Sequence, residues 1–355
     1  MNNSGIKNNQ SLYAVDIAKF VCAVAVIGCH TQVFSCFGDL ANYFSFGVLF
    51  RVGVAFFFVC SGYFFFDKIE FLQGKIIKSE NNRKRLIQYL VRLTILYIIW
   101  SAIYFIFQFI QWLRSPDITF FHLLINFAKS FVVDGSYYHL WYILCLIYSI
   151  PLLYFLLRRI NYKTVIISAV LLYALHLIIN YNEIFNISSH ISIVNKYLIL
   201  SGAFGQTLFI AIPLVASGGY IATNQCGIKK PESYFLLIIS LLLLLAESAL
   251  IYASSGKIDY SSYIIFTFVT SVIGFLAVKN IDLNIKNKKA FYSVRNMSTL
   301  IYCLHPLIIK IVKNIINFDR INSIIWFLII TALTIIVSYI LLLGSKKVKF
   351  FKYFY

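Results

Sequence analysis

Ten apolar stretches of this chain are long enough to cross a bilayer as helices: 14–33, 44–66, 86–111, 138–156, 163–181, 205–223, 234–253, 259–279, 297–316 and 322–343. Short polar links separate them. The first stretch, Tyr13 to Val33, is the most informative, because its apolar run carries Asp16, Lys19 and His30. Ionisable groups inside a span are costly and rarely idle. Lys19 and His30 are eleven residues apart. At about 100° and 1.5 Å per residue they share one helix face and sit about 16 Å apart along it. Between the third and fourth stretches, apolar positions 120, 121, 124, 127 and 131 recur at helical spacing. That pattern predicts an amphipathic helix over 117–133 lying in the outer interface. Pro151, Pro213 and Pro306 fall inside spans and predict kinks.

Composition fits this pattern. The chain is 60% hydrophobic and 12% charged, roughly half the charged fraction of a soluble domain. The expectation is an all-α polytopic bundle of about ten transmembrane helices, one membrane domain over 1–355. A polar tail at 1–12 and a basic tail at 344–355 flank it, with no fused soluble domain and no cleavable signal peptide. The net charge of +18 alone would admit nucleic acid as a partner, but its distribution argues for the lipid bilayer instead. Lys68, Lys75, Lys78, Arg83, Lys84 and Arg85 share one link, Arg158, Arg159 and Lys163 another, and Lys229 and Lys230 a third. Lys279, Lys286, Lys288, Lys289 and Arg295 cluster in a fourth, and Lys346, Lys347, Lys349 and Lys352 in the tail. If ten spans alternate, all of these lie on one face. The other holds Arg114, Lys129, Lys196, Lys257, Lys313 and Arg320. A bias of 20 to six predicts that both termini are cytoplasmic. The seven cysteines, at 22, 29, 36, 60, 145, 226 and 303, show neither a disulfide framework nor metal-ligand spacing and read as small apolar fillers.

Direction gives depth. Lys19, Ser61 and Arg92 form an inner tier. His30 and Arg51 form an outer one, with His139 and Trp141 at the mouth of the fourth span. Each residue also has a bland reading. Lys19 and Arg92 are near enough to the inner surface to snorkel, and Asp16 and Lys19 are spaced to pair. Ser61-Gly62 suits plain helix packing, and His139 with Trp141 suits an interfacial belt. Arg51, followed by an aromatic-rich run, is harder to explain by snorkelling. His305 precedes Pro306, and its ring is placed to cover the carbonyl that proline leaves free. Glu247, in LLLLLAESAL, needs a partner that the sequence does not identify. His176 and His190 read as boundary residues. No phosphate-binding glycine loop and no carboxylate pair suited to glycosyl transfer are present.

Four segments resemble, in order, the motifs of the acyltransferase family 3 membrane proteins. VDIAKFVCAVAVIGCH is similar to the opening motif: an acid, a basic residue three on, and a histidine eleven beyond that. RVGVAFFFVCSGYFF resembles the second motif, HLWYILCLIY the third, and IYCLHPLI the late Tyr-x-x-His-Pro segment. The family usually has arginine where this chain has Lys19, which keeps the charge but not the planar fork. The resemblance implies transfer of an acyl group, usually acetyl, from cytoplasmic acyl-CoA to hydroxyls of cell-envelope glycans in the bacterial plasma membrane. It implies no permanently bound cofactor or metal. It makes His30 the catalytic histidine, Arg51 the arginine of the second motif, and His139 and Trp141 part of a pocket lining. The two-tier charge pattern then puts Lys19, Ser61 and Arg92 on the donor's phosphates, Arg51 on the developing oxyanion, and His139 and Trp141 on the acceptor. Some relatives carry an extra soluble domain, so a separate extracytoplasmic partner protein is a further expectation. A subset of the family forms the membrane half of serine racemases and resembles a serine transporter. A transporter or flippase for a small polar solute or lipid-linked sugar is therefore the rival reading, and an assembly or sensor subunit a third.

Overall fold

A computed structural model describes residues 12–114, 119–185, 187, 203–224, 227–255, 264–283, 288–315 and 322–355. The polar tail at 1–11, Lys196, Lys257, Lys286, Arg320, His190 and Cys226 lie outside the described residues. Eleven helices organise the rest: α1 Tyr13–Thr31, α2 Asp39–Phe66, α3 Glu80–Arg114, α4 Phe120–Val133, α5 Trp141–Leu157 and α6 Tyr162–Phe185 precede α7 Thr207–Thr223, α8 Lys230–Ser255, α9 Ile265–Lys279, α10 Lys288–Ile315 and α11 Ser323–Lys347. Seven of these (α1, α2, α3, α6, α8, α10 and α11) are long and apolar enough to cross a membrane, whereas α4, α5, α7 and α9 are shorter. The described strands are one two-residue antiparallel pair, Phe71–Leu72 with Lys75–Ile76.

The apolar surface has two kinds of neighbour. α2 is apolar nearly all round and sits at the centre, with Phe56, Phe57, Phe58, Val59 and Cys60 buried in succession. α8 and α11 instead turn Phe235, Ile238, Leu242, Leu250, Ile325, Leu328, Ile336 and Ile340 outward. Such bands require a non-aqueous surround, so this is a helical membrane protein. Within the spans, buried hydroxyls bond to their own helix: Ser217 donates to the Pro213 carbonyl and Thr334 to that of Ile330, each at 2.7 Å.

The crossing of α2 on α7 is made backbone to backbone. A Cβ at Gly62 would lie 2.0 Å from the Val215 carbonyl oxygen, and one at Gly218 would lie 2.0 Å from that of Val59. The Ser61-Gly62 pair thus divides its work: the glycine packs, and the serine faces a cavity described below. Neither backbone can yield locally, so Gly62→Ala or Gly218→Ala should cost at least about 1–3 kcal/mol. We expect a large drop in monodisperse protein on fluorescence-detected gel filtration. Gly274→Ala, whose Cβ would meet Leu237 at an ordinary 3.7 Å, should leave yield unchanged.

Three structural findings depart from the hydropathy windows. α10 begins at Lys288, so most of the expected link 280–296 is helix and Arg295 belongs to a wall of the bundle. α2 runs through a π-helical segment, Tyr43–Leu49, just before Arg51, and α7 opens with another at Thr207–Ala211. Beyond α11, the basic tail turns back as a short 3-10 helix, Lys349–Phe354, where the Trp100 indole donates to the Phe354 carbonyl at 3.2 Å.

Glu247 acquires its partners through tertiary structure. Its carboxylate accepts the backbone N–H groups of Ile265 (3.0 Å) and Phe266 (2.9 Å), the first residues of α9, and the Tyr181 hydroxyl. It caps α9 from the neighbouring helix, where a negative charge is stabilised by the helix dipole. His176 is not a boundary residue, since it is buried beside Tyr173 and Phe209.

Candidate functional site

Three helices bring cations to one cavity. It offers about 170 Å³ of free space and opens to the outside, and Lys19 of α1, Arg92 of α3 and Arg295 of α10 line it together with Ser61. The three inner-tier residues expected from the sequence therefore share one chamber, and Arg295 joins them unannounced. Arg92 and Arg295 are exposed, while Lys19 is partly buried. Asp16 lies within electrostatic reach of Lys19 and Arg295. Among the described residues no Asp or Glu lines the cavity itself, and its three cations give it the character of an anion site. Polar lining continues with Asn296, Ser298 and Thr299, on the same face of α10 as Arg295. The residue at the end of the chain, Tyr355, also borders the chamber, with its hydroxyl 2.9 Å from that of Ser345.

Two turns along α10 from Arg295, aromatic rings line the cavity. Tyr142 donates to the Phe57 carbonyl at 3.2 Å, so its 2.9 Å contact with Ser61 has the serine as donor. Tyr302 packs against both rings, at 6.2 Å from Phe57 and 5.5 Å from Tyr142. Its hydroxyl donates to the backbone carbonyl of His139.

Behind Tyr302 stand three histidines. His30 stacks on His305 with ring centroids 5.2 Å apart, and His139 meets His305 edge-on at 5.5 Å. Pro306 cannot supply the N–H that a helix would offer to the Tyr302 carbonyl. The His305 ring lies over this turn, with Nδ1 3.0 Å from the carbonyl of Ile301, one residue before the carbonyl that Pro306 frees. A carbonyl only accepts, so Nδ1 carries the proton and Nε2 presents its lone pair. His305 is fully buried and Nε2 has no hydrogen-bond partner among the described residues. Half-exposed Tyr138 covers His30 at 4.9 Å. The Arg51 guanidinium lies within electrostatic reach of His30 and Cys29.

His139 is held by a tight turn. Gly135 adopts φ +94°, and a Cβ there would lie 2.6 Å from the Trp141 nitrogen. Ser136 bonds Ser101 at 2.5 Å, and its N–H donates to the Tyr97 hydroxyl at 2.9 Å. Tyr104 stacks on Tyr137 at 4.2 Å, meets the His139 ring edge-on and donates to the Cys303 carbonyl at 2.7 Å. Trp141 is not brought to the histidines. Its ring packs on Phe58, and its neighbour Tyr142 faces the cavity instead. Sequence reasoning missed His305, Tyr302 and Arg295. The first two belong to the late Tyr-x-x-His-Pro segment, which was the available signal. Among the described residues, no group of three or more His, Cys, Asp or Glu is arranged to hold a metal ion. No disulfide is formed among the described residues.

Fold and site together define a polytopic helical membrane protein in which a cationic chamber is separated by one tyrosine from a cluster of imidazoles. The chain belongs to acyltransferase family 3: the family model, described as an acyltransferase domain, matches residues 12–343. Curated relatives are racemases. An amino-acid racemase of Enterococcus faecalis is 25% identical over 348 residues, covering 94% of this chain and 46% of that protein. A second amino-acid racemase of the same organism is 24% identical, covering 62% of this chain and 30% of its own length. A serine/alanine racemase of Enterococcus gallinarum is 27% identical, covering 73% of this chain and 35% of its own length. The chain thus spans less than half the length of these relatives. No solved structure matches it.

Proposed function

We propose that this protein is a membrane O-acyltransferase of the bacterial plasma membrane. It moves an acyl group, acetyl by family default, from cytoplasmic acyl-CoA to a hydroxyl of a cell-envelope glycan. The observation that carries this reading is the cationic cavity of Lys19, Arg92 and Arg295 ending at Tyr302, with His30, His305 and His139 directly behind it. In this reading ten spans alternate, both termini face the cytoplasm, and residues 1–355 act as one membrane domain.

The three cations and Ser61 hold the donor's phosphates, and the thioester arm extends along the roughly 16 Å between Lys19 and His30. His30 accepts the proton of the acceptor hydroxyl as its oxygen attacks the thioester carbonyl. A C–O bond forms, negative charge develops on the carbonyl oxygen, and Arg51 stabilises it. The C–S bond then breaks, and the proton held by His30 passes to the departing thiolate. The products are the acyl ester and free CoA. Tyr138 and His139 border the acceptor. Trp141, packed on Phe58, has no part in this assignment. A separate extracytoplasmic protein is the partner that would present the glycan.

A second reading has its own support, because the curated relatives are named as racemases of amino acids. On that reading the same polar line conducts a small amino acid. Mass analysis of envelope polymers from a deletion strain separates the two. Acyl transfer predicts loss of an ester-linked acyl group from one polymer, restored by the gene. Unchanged polymers together with reduced uptake of a small amino acid would favour transport.

A further inference from the structure

We infer that Tyr302 is the partition between the donor cavity and the histidine cluster, and that it sets the size of the acyl group that reaches the histidines. The inference rests on the acyl-transfer reading and adds a specificity determinant to it.

The geometry is specific to this side chain. Tyr302 lines the cavity on one side and packs on His139 (5.6 Å) and His305 (6.2 Å) on the other. Phe57 of α2 and Tyr142 of α5 line the cavity beside it and pack on its ring. Of the three, Tyr142 is fixed by bonds to Ser61 and to the Phe57 carbonyl within the cavity wall. The Tyr302 hydroxyl is instead anchored across the partition, on the His139 carbonyl. A donor entering past Arg92 and Arg295 therefore presents its acyl carbon to the Tyr302 ring before it meets His30. For reaction the ring must yield, releasing the His139 carbonyl, and the room it leaves is bounded by Phe57, Tyr142 and the imidazoles. A two-carbon acyl group asks for a small displacement, and each further methylene asks for more. Chain length is thus filtered by one buried side chain, and no other residue has to change. The Tyr302→Phe change removes the anchor but keeps the wall, whereas Tyr302→Val removes most of the wall.

The test is CoA release with acetyl-, butyryl- and hexanoyl-CoA by native membrane vesicles, which supply the acceptor hydroxyl, from the deletion strain carrying wild type, Tyr302→Phe or Tyr302→Val. Wild type should prefer acetyl-CoA. Tyr302→Phe should keep that preference. Tyr302→Val should shift kcat/KM for hexanoyl over acetyl by about tenfold or more, the scale that a methylene or two commands in an apolar pocket. Tyr302→Leu, closer in volume, serves if the valine variant does not fold, with an intermediate shift expected. If the folded small variants keep the wild-type ratio within twofold, or lose all three donors while Tyr302→Phe remains active, the partition role is overturned. If wild type releases CoA from none of the donors, the acyl-transfer reading itself fails.

Discussion

Replacing His30 by alanine should lower acyl transfer by about 10²–10⁴-fold, the contribution of a well-placed general base. The loss should fall on kcat. His30 is about 16 Å from Lys19 along α1, on the far side of Tyr302 from the three cations, so donor KM should change little. The stacked neighbour His305 keeps its own anchor on the Ile301 carbonyl at 3.0 Å, and the bundle should fold normally. Steady-state CoA release, with gel filtration as the folding control, checks this. Turnover near the wild-type rate would remove His30 from the mechanism. A loss of folded protein with unaltered turnover per folded molecule would make the histidines a packing device.

Removing Arg92 and Arg295 together, as glutamines, should have the opposite signature. A hydrogen bond to a charged group contributes about 1.5–3 kcal/mol, or roughly 10–100-fold in affinity. The pair should therefore raise the acyl-CoA KM by at least about 10²-fold while leaving kcat within a few-fold. Both side chains are exposed at the cavity mouth, so folding should tolerate the change. Salt supplies an independent check, because exposed charges are screened. The wild-type KM should rise with ionic strength, and that of the double variant should rise less steeply. An unchanged KM in the double variant would mean that the chamber does not hold the donor.

Much of the site could be read from the chain, and the gaps have physical causes. Lys19, Ser61 and Arg92 were placed at one level by helix rise and charge bias alone, and they line one cavity. That succeeded because each polar residue interrupts an apolar run, where its cost is visible. Arg295 escaped because hydropathy ends a span at the first polar cluster, whereas the helix itself continues back to Lys288. His305 was hidden by Pro306, which offered a sufficient local reason for a polar ring. Its stacking on His30 joins residues 275 positions apart in sequence, a contact no periodicity encodes. Glu247 had no local partner because its partners are the first N–H groups of another helix. The π-helical segment before Arg51 is also silent in the sequence, although one extra residue per turn re-aims everything that follows it. The third motif and the mouth of the fourth span point to Trp141, whose ring packs on Phe58 in the structure. The tight turn at Gly135 instead leaves Tyr142 facing the cavity.

The most direct test of the central claim uses membrane vesicles of both orientations and acyl-labelled acetyl-CoA, which does not cross the bilayer. The account predicts donor consumption and label transfer to an envelope polymer only when the donor is supplied to the face that bears Lys19, Arg92 and Arg295. Vesicles carrying His30→Ala should transfer about 10²–10⁴-fold less. Transfer from the opposite face, or movement of a small solute through the protein with no acyl donor present, would contradict it.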